Sequence, residues 1–245
     1  MKNTTQIGLT KTIAMVFGVT GLFTALYFIT GIVLPQLPTL LIFCILGGLF
    51  LMPAEWFLIL WQSKKDYGEY SLKAALIGHE KQPIIKILFF ALLLFGTAGI
   101  FSFTILPLEN MLLFSFREKF LSFLPVRFDW DNIENIKSFP KNIIIATCAV
   151  YFIFNVLAGP ITEEFFFRGY LTAHNNRYRN WTPAIITIFF SLYHFWLPFQ
   201  NIFRIFVFLP MAYISYRKKN LYICMTSHIL CNLFTTISFI IAVVK

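Results

Sequence analysis

Seven apolar stretches, each long enough or nearly long enough to cross a bilayer, recur along this 245-residue chain and leave almost nothing over for a water-facing surface. About 20 helical residues cross roughly 30 Å of hydrocarbon. The stretches run from about Thr12 to Leu34, Leu40 to Trp61, Ile84 to Leu106, Lys141 through Gly159-Pro160 to about Ala173, Pro183 to Leu197, Asn201 to Tyr216, and Leu221 to Val244. Hydrophobic residues make up 58% of the chain and charged ones 13%, a balance that excludes an ordinary soluble surface and equally excludes disorder. The expected fold class is therefore all-α: a polytopic transmembrane helix bundle of about seven spans. Backbone polar groups in lipid must be satisfied within the segment, and a helix does that.

The first stretch is longer than a signal-peptide core and lacks a small-x-small cleavage site, so it is expected to be a retained anchor. The third is expected to stop before Pro107. Leu108 to Leu124 mixes Phe116, Phe120 and Phe123 with Arg117, Glu118 and Lys119, a pattern that suits an interfacial helix. Phe128 to Asn132 and Glu134 to Pro140 read as an exposed loop. The natural division is 1–140, helices and a polar loop, and 141–245, the part that carries the chemistry discussed below. Pro160 is expected to kink the fourth span, and the short fifth and sixth spans suggest tilt or burial within protein.

Orientation follows from Lys and Arg in the connections. With the N-terminus cytoplasmic, the inside holds Lys2, Lys11, Lys64, Lys65, Lys73, Lys81, Arg177, Arg179, Arg217, Lys218 and Lys219. The outside then holds Arg117, Lys119, Arg127, Lys137, Lys141 and Lys245. A multi-pass cell-membrane protein with a cytoplasmic N-terminus is expected. The net charge of +9 comes from these clusters rather than from one basic face, which argues against a nucleic-acid partner. Cys44, Cys148, Cys224 and Cys231 lie inside apolar runs without CxxC spacing and read as buried hydrophobes.

Six groups stand where hydrocarbon should be: Glu163, Glu164, Arg168, His194, His228 and Asn232. An ionised side chain at a helix centre costs about 2.5 to 3.5 kcal/mol on insertion scales, so several together imply an internal polar cavity. Glu164 and Arg168 are four apart and can pair along one face, as can His228 and Asn232. At about 1.5 Å per residue, all of them lie roughly 12 to 20 Å from the connections at one end of their helices. Taken singly, Glu164 with Arg168 suits a structural ion pair, His194 a satisfied buried imidazole, and His228 with Asn232 interhelical glue. Convergence in depth on three helices is what favours a shared catalytic site. His79 and His174 fall in polar connections and are expected to be solvated; Arg204 is expected to snorkel outward and Glu55 to reach an interface.

Three ordered motifs carry a family resemblance. They are Glu163-Glu164-Phe165-Phe166-Phe167-Arg168, followed by Gly169-Tyr170; Phe190-Ser191-Leu192-Tyr193-His194; and His228-Ile229-Leu230-Cys231-Asn232. As EExxxR, FxxxH and HxxxN, the set resembles the CAAX protease and bacteriocin-processing intramembrane proteases, also labelled abortive-infection proteins and related to the CAAX prenyl endopeptidase. It covers about residues 145 to 240. The resemblance implies an endopeptidase in which Glu163 and His194 hold and deprotonate the attacking water. By the same resemblance His228 and Asn232 stabilise the oxyanion, and Glu164 and Arg168 support them. No serine or cysteine stands in a convincing nucleophile setting. Glu163, His194 and His228 would also suffice for a three-ligand zinc site with an open water position, although the HExxH spacing is absent; a metal-independent glutamate mechanism is favoured and zinc stays open. The resemblance offers two substrate classes: prenylated CAAX proteins, or peptides in processing, export or bacteriocin immunity. The Lys, Asn, Ile and Phe usage points to the second. The partners expected are a membrane-associated peptide or protein and the lipid bilayer. Two other classes remain: a proton- or cation-coupled transporter, for which no internal repeat is visible, and a non-catalytic membrane scaffold or immunity protein.

Overall fold

A computed structural model describes residues 5–245, so Lys2 of the orientation count lies outside the described residues. Among these residues every regular element is helical. The main helices are α1 (Leu9–Val33), α2 (Thr39–Tyr67), α3 (Ile84–Leu112), α4 (Phe114–Ser122), α5 (Lys141–His174), α6 (Thr182–Leu192), α7 (Asn201–Arg217) and α8 (Leu221–Val244). Five of them, α1, α2, α3, α5 and α8, are long and apolar enough to cross a membrane. The expected count of seven is therefore not confirmed. Helix α6 has 11 residues and α7 has 17, about 16 Å and 25 Å of rise.

Pro107 does not end α3; it sits inside the helix, which runs on to Leu112. The expected interfacial helix thus begins later, as α4, after a turn at Leu113, and none of its side chains is buried. The loop after it is not solvent-exposed throughout. Phe128 is buried and packs on Tyr27 and Phe28, and the Trp130 ring sits 5.0 Å from Phe43. Gly31 makes room for this plug: a Cβ there would lie 2.5 Å from the Phe128 ring. Arg127 secures it by donating to the carbonyl of Gly31 at 2.8 Å.

Helix α5 passes Pro160 without a break. Two π-helical stretches, Ile153–Ala158 and Glu164–Leu171, flank it, and the N–H of Gly159 reaches back five residues to Phe154 O. Widening the turn absorbs the donor that proline lacks, and such π segments tend to mark functional sites.

The N-terminal segment and the connections after α2, α5 and α7 meet at one end of the bundle. Ile7 N–H donates to His174 O, Thr5 Oγ1 to Asp66 Oδ1, and Glu80 N–H to Lys219 O. His174 is consequently not solvated: it is fully buried, with Nδ1 2.8 Å from Tyr170 O and Nε2 3.4 Å from Asp66. His79 is half-buried, edge-on to the Tyr222 ring. At the opposite end Glu109 is buried and accepts the backbone N–H groups of Ile202 at 2.8 Å and Phe203 at 2.6 Å. A carboxylate on the first free donors of α7 suits both the hydrogen bonds and the helix dipole. Arg204 does not snorkel; it is buried and donates to Ser191 O and Asn201 Oδ1, bracing the corner between α6 and α7. All four cysteines are free, and Cys231 is only half-buried.

Candidate active site

Helix α5 supplies both carboxylates. Glu163 is the last residue of a short α-helical stretch and Glu164 the first of the following π stretch. Although neighbours in sequence, both reach the same imidazole on α8. His228 Nδ1 lies 3.0 Å from Glu164 Oε1, and His228 Nε2 lies 3.8 Å from Glu163 Oε2. The ring is therefore gripped at one nitrogen and turned at the other toward a carboxylate just beyond direct hydrogen-bond reach.

Glu164 has no exposure at all and also meets Arg168, whose Nη1 lies 3.4 Å away. That approach is an ion pair without a well-formed hydrogen bond, since none of the guanidinium nitrogens has a hydrogen-bond partner. The guanidinium is held instead between rings, 4.2 Å from the Phe190 centroid and 5.1 Å from that of Phe208. Stacking of this kind is worth about 2 kcal/mol when desolvated.

His194 is not within a helix. Helix α6 ends at Leu192, and His194 lies in the corner leading to α7, its Nδ1 2.8 Å from Phe190 O. The Phe190 ring links the two histidines, with centroids 5.0 Å from His194 and 6.0 Å from His228. Among the described residues no hydrogen bond or ion pair joins His194 to Glu163. Asn232, one turn beyond His228, donates from Nδ2 to Asn155 O at 2.8 Å, and Asn155 in turn donates to Thr236 Oγ1 at 2.8 Å. An amide nitrogen carries two protons, so Asn232 keeps one donor in hand. Asn155 had no recognisable signal, because its part is played by a backbone carbonyl in a π turn.

Among the described residues no three His, Cys, Asp or Glu side chains are grouped to hold a metal. His228 faces carboxylates at both ring nitrogens, and Nδ1 of His194 lies 2.8 Å from a carbonyl oxygen.

Below Arg168 a cavity of about 820 Å³ opens at the end of the bundle where the N-terminal segment lies. Its walls include Lys73, His79, Arg168, Arg217, Lys219 and Asn220, with no carboxylate among them. Lys219 is paired at 2.7 Å with Glu80, whose hydrogen bond raises its ammonium above the ordinary range. Partial burial lowers the His79 imidazole below its ordinary value. Gly169 lines the same cavity in van der Waals contact with Ala75, an approach that only a missing Cβ permits.

Two buried residues near the site are placed differently from the sequence reading or have a part it did not show. Glu55 does not reach an interface; it is 2% exposed, beside Tyr193. Tyr193, buried just before His194, anchors the corner by accepting at its carbonyl from Thr20 Oγ1 at 2.7 Å.

A multi-pass helical membrane protein with paired carboxylates and imidazoles enclosed in its bundle is the class that this fold and site define. Residues 145–234 match the family described as Type II CAAX prenyl endopeptidase Rce1-like, which supports the CAAX protease family indicated by the three motifs. The match covers Glu163, Glu164, Arg168, His194, His228 and Asn232. It supports an enzyme role, a lipid setting and a membrane-associated substrate. No curated protein and no solved structure matches the chain.

Proposed function

We propose that this protein is an intramembrane endopeptidase that hydrolyses a peptide bond in a membrane-associated peptide or protein, using water activated at Glu163. One observation supports the reading most: Glu163 and Glu164 face the two ring nitrogens of His228, with Asn232 one turn away. That arrangement joins a half-buried base, an oriented buried imidazole and a spare amide donor in one place.

In this mechanism Glu163 takes a proton from water as the water oxygen bonds to the scissile carbonyl carbon. His194, on the α6–α7 corner, provides the second contact to the water. Glu164 accepts from Nδ1–H of His228 and, with Glu163 near Nε2, holds the ring as an imidazolium, so that Nε2–H and the remaining N–H of Asn232 donate to the developing oxyanion. The C–N bond then breaks, and Glu163 passes its proton to the departing amine. Arg168 balances the charge of Glu164. No step requires a metal. The cationic cavity below Arg168 suits entry of a peptide from the membrane surface, and the basic connections around it suit a cytoplasmic face with the N-terminus inside. Peptide processing, export or bacteriocin immunity in a cell membrane is the role proposed.

The test is cleavage of membrane-anchored peptide reporters by purified protein in detergent. Wild type is compared with Glu163→Gln and His194→Ala, each with and without chelator. Loss of cleavage in both variants and indifference to chelator are expected. Cleavage retained by Glu163→Gln overturns the mechanism, and loss on chelation overturns its metal independence. Labelling of Lys218→Cys and Lys119→Cys in intact cells checks orientation, with only the second expected to react from outside.

A further inference from the structure

His194 stands on a non-helical corner, and no hydrogen bond or ion pair among the described residues ties it to Glu163, so its place depends on what grips that corner. Helix α1 does so. Thr20 Oγ1 donates to Tyr193 O at 2.7 Å, and both residues are buried. A threonine within a helix commonly donates to the carbonyl four residues back, as Thr97, Thr104 and Thr147 do here; Thr20 reaches across to another element instead. The Phe17 ring stacks on Phe195 with centroids 5.6 Å apart, and Phe23 meets Trp196 edge-on at 5.2 Å. These contacts fall on both sides of His194. Near its start the same helix is tied to the end of α5, the helix that carries Glu163: Thr12 Oγ1 reaches Asn175 Oδ1 at 3.1 Å, and the N–H of Ile7 donates to His174 O at 2.8 Å. Thr12 and Thr20 would lie about 80° apart on a regular α-helix. The π stretch Ala14–Gly18 between them adds a residue to the turn and brings them nearer one face.

We infer that Thr20 is a positioning residue for His194, and that α1 acts as a strut setting the corner that bears this histidine against the helix that bears Glu163. Helix α1 lies outside residues 145–234, the part of the chain that matches the family. Thr20 touches neither substrate nor water; it acts through the Tyr193 carbonyl, one peptide unit from His194. Without its hydroxyl the corner keeps its rings but loses the one directed bond that α1 gives it, and the imidazole is free to turn away from the water at Glu163. The cavity that admits the peptide has no residue of α1 in its walls, so substrate binding is left alone. This inference rests on the endopeptidase reading for its kinetic consequence but not for the placement of His194.

Two measurements test it. In peptide cleavage, Thr20→Val keeps the shape and removes the donor, and kcat is expected to fall by roughly tenfold to a hundredfold with KM little changed, as a misaimed catalytic group implies. Thr20→Ser keeps the hydroxyl and is expected to restore most of kcat. Wild-type kcat in Thr20→Val, or a Thr20→Ser variant as slow as Thr20→Val, overturns the inference. Phe17→Leu takes away the ring on Phe195 and leaves the hydrogen bond, so it reads the same grip without the valine variant. A fall in kcat at unchanged KM is expected there too, and wild-type kcat overturns the role of α1. Nitrogen-15 NMR of labelled imidazoles reads the placement without turnover, the His194 signals being those lost in His194→Ala. Thr20→Val is expected to move the His194 signals and leave those of His228 in place, with Thr20→Ser moving neither; unmoved His194 signals in Thr20→Val overturn the inference. If they move but wild type cleaves no reporter, the endopeptidase reading fails and the placement of His194 by α1 stands.

Discussion

Separating Glu164 from Arg168 is the perturbation whose size the structure determines best. At 3.4 Å the pair is worth about 5 kcal/mol of gross attraction at an effective dielectric of about 20. The side chains are 0% and 3% exposed, so water screens little of it. Breaking one partner of such a pair costs about 3 to 5 kcal/mol, chiefly through the charge left behind. The two single variants leave different charges. Arg168→Met leaves Glu164 with His228 Nδ1 at 3.0 Å, a partner in hand. Glu164→Gln leaves a guanidinium whose nitrogens have no hydrogen-bond partner and whose remaining support is the rings of Phe190 and Phe208. Because the pair lacks a well-formed hydrogen bond, about 3 kcal/mol is expected for Glu164→Gln and less for Arg168→Met. The double variant is expected to be more stable than the sum of the singles by about 2 kcal/mol. Reversible unfolding in mixed micelles, followed by tryptophan fluorescence, measures all three. Additivity within about 0.5 kcal/mol would refute the claim that the two charges are coupled.

Four further outcomes follow from the same structure. Gly169→Ala sets a Cβ 2.6 Å from the Ala75 carbonyl oxygen, so the segment before His79 must shift; a loss of about 1 to 3 kcal/mol and faster tryptic cutting at Lys73 are expected, and unchanged proteolysis would refute the close approach. Glu109→Ala removes both acceptors from the N-terminus of α7; a loss of about 2 kcal/mol or more in thermal or denaturant unfolding is expected, with Glu109→Gln milder. Asn232→Ala is expected to lower kcat about a hundredfold or more. Asn155→Ala, which keeps the backbone carbonyl bonded to Asn232 and loses only the bond to Thr236, is expected to cost about 1 kcal/mol of stability with kcat nearly intact.

What the chain determined alone was the class of fold and the identity of the polar groups. Apolar runs the length of a bilayer leave helices as the one way to satisfy the backbone, so α1, α2, α3, α5 and α8 were readable before any neighbour was known. Charges inside those runs were readable for the same reason, and the depth arithmetic brought Glu163 and Glu164 level with His228. Which group meets which was decided only by tertiary structure. Hydropathy does not distinguish a lipid-facing surface from one facing protein, so Glu55, Arg204 and His174 were misplaced toward water while the structure buries all three. Helix ends at Leu112 and Leu192 depend on packing rather than on Pro107 or the length of an apolar run. The two π stretches of α5 change the angular spacing of its side chains, so that adjacent carboxylates flank one imidazole and a backbone carbonyl holds Asn232. A motif records residue types along one chain direction; the chemistry depends on distances between helices, and those are set by the rings, glycines and buried pairs through which the helices pack.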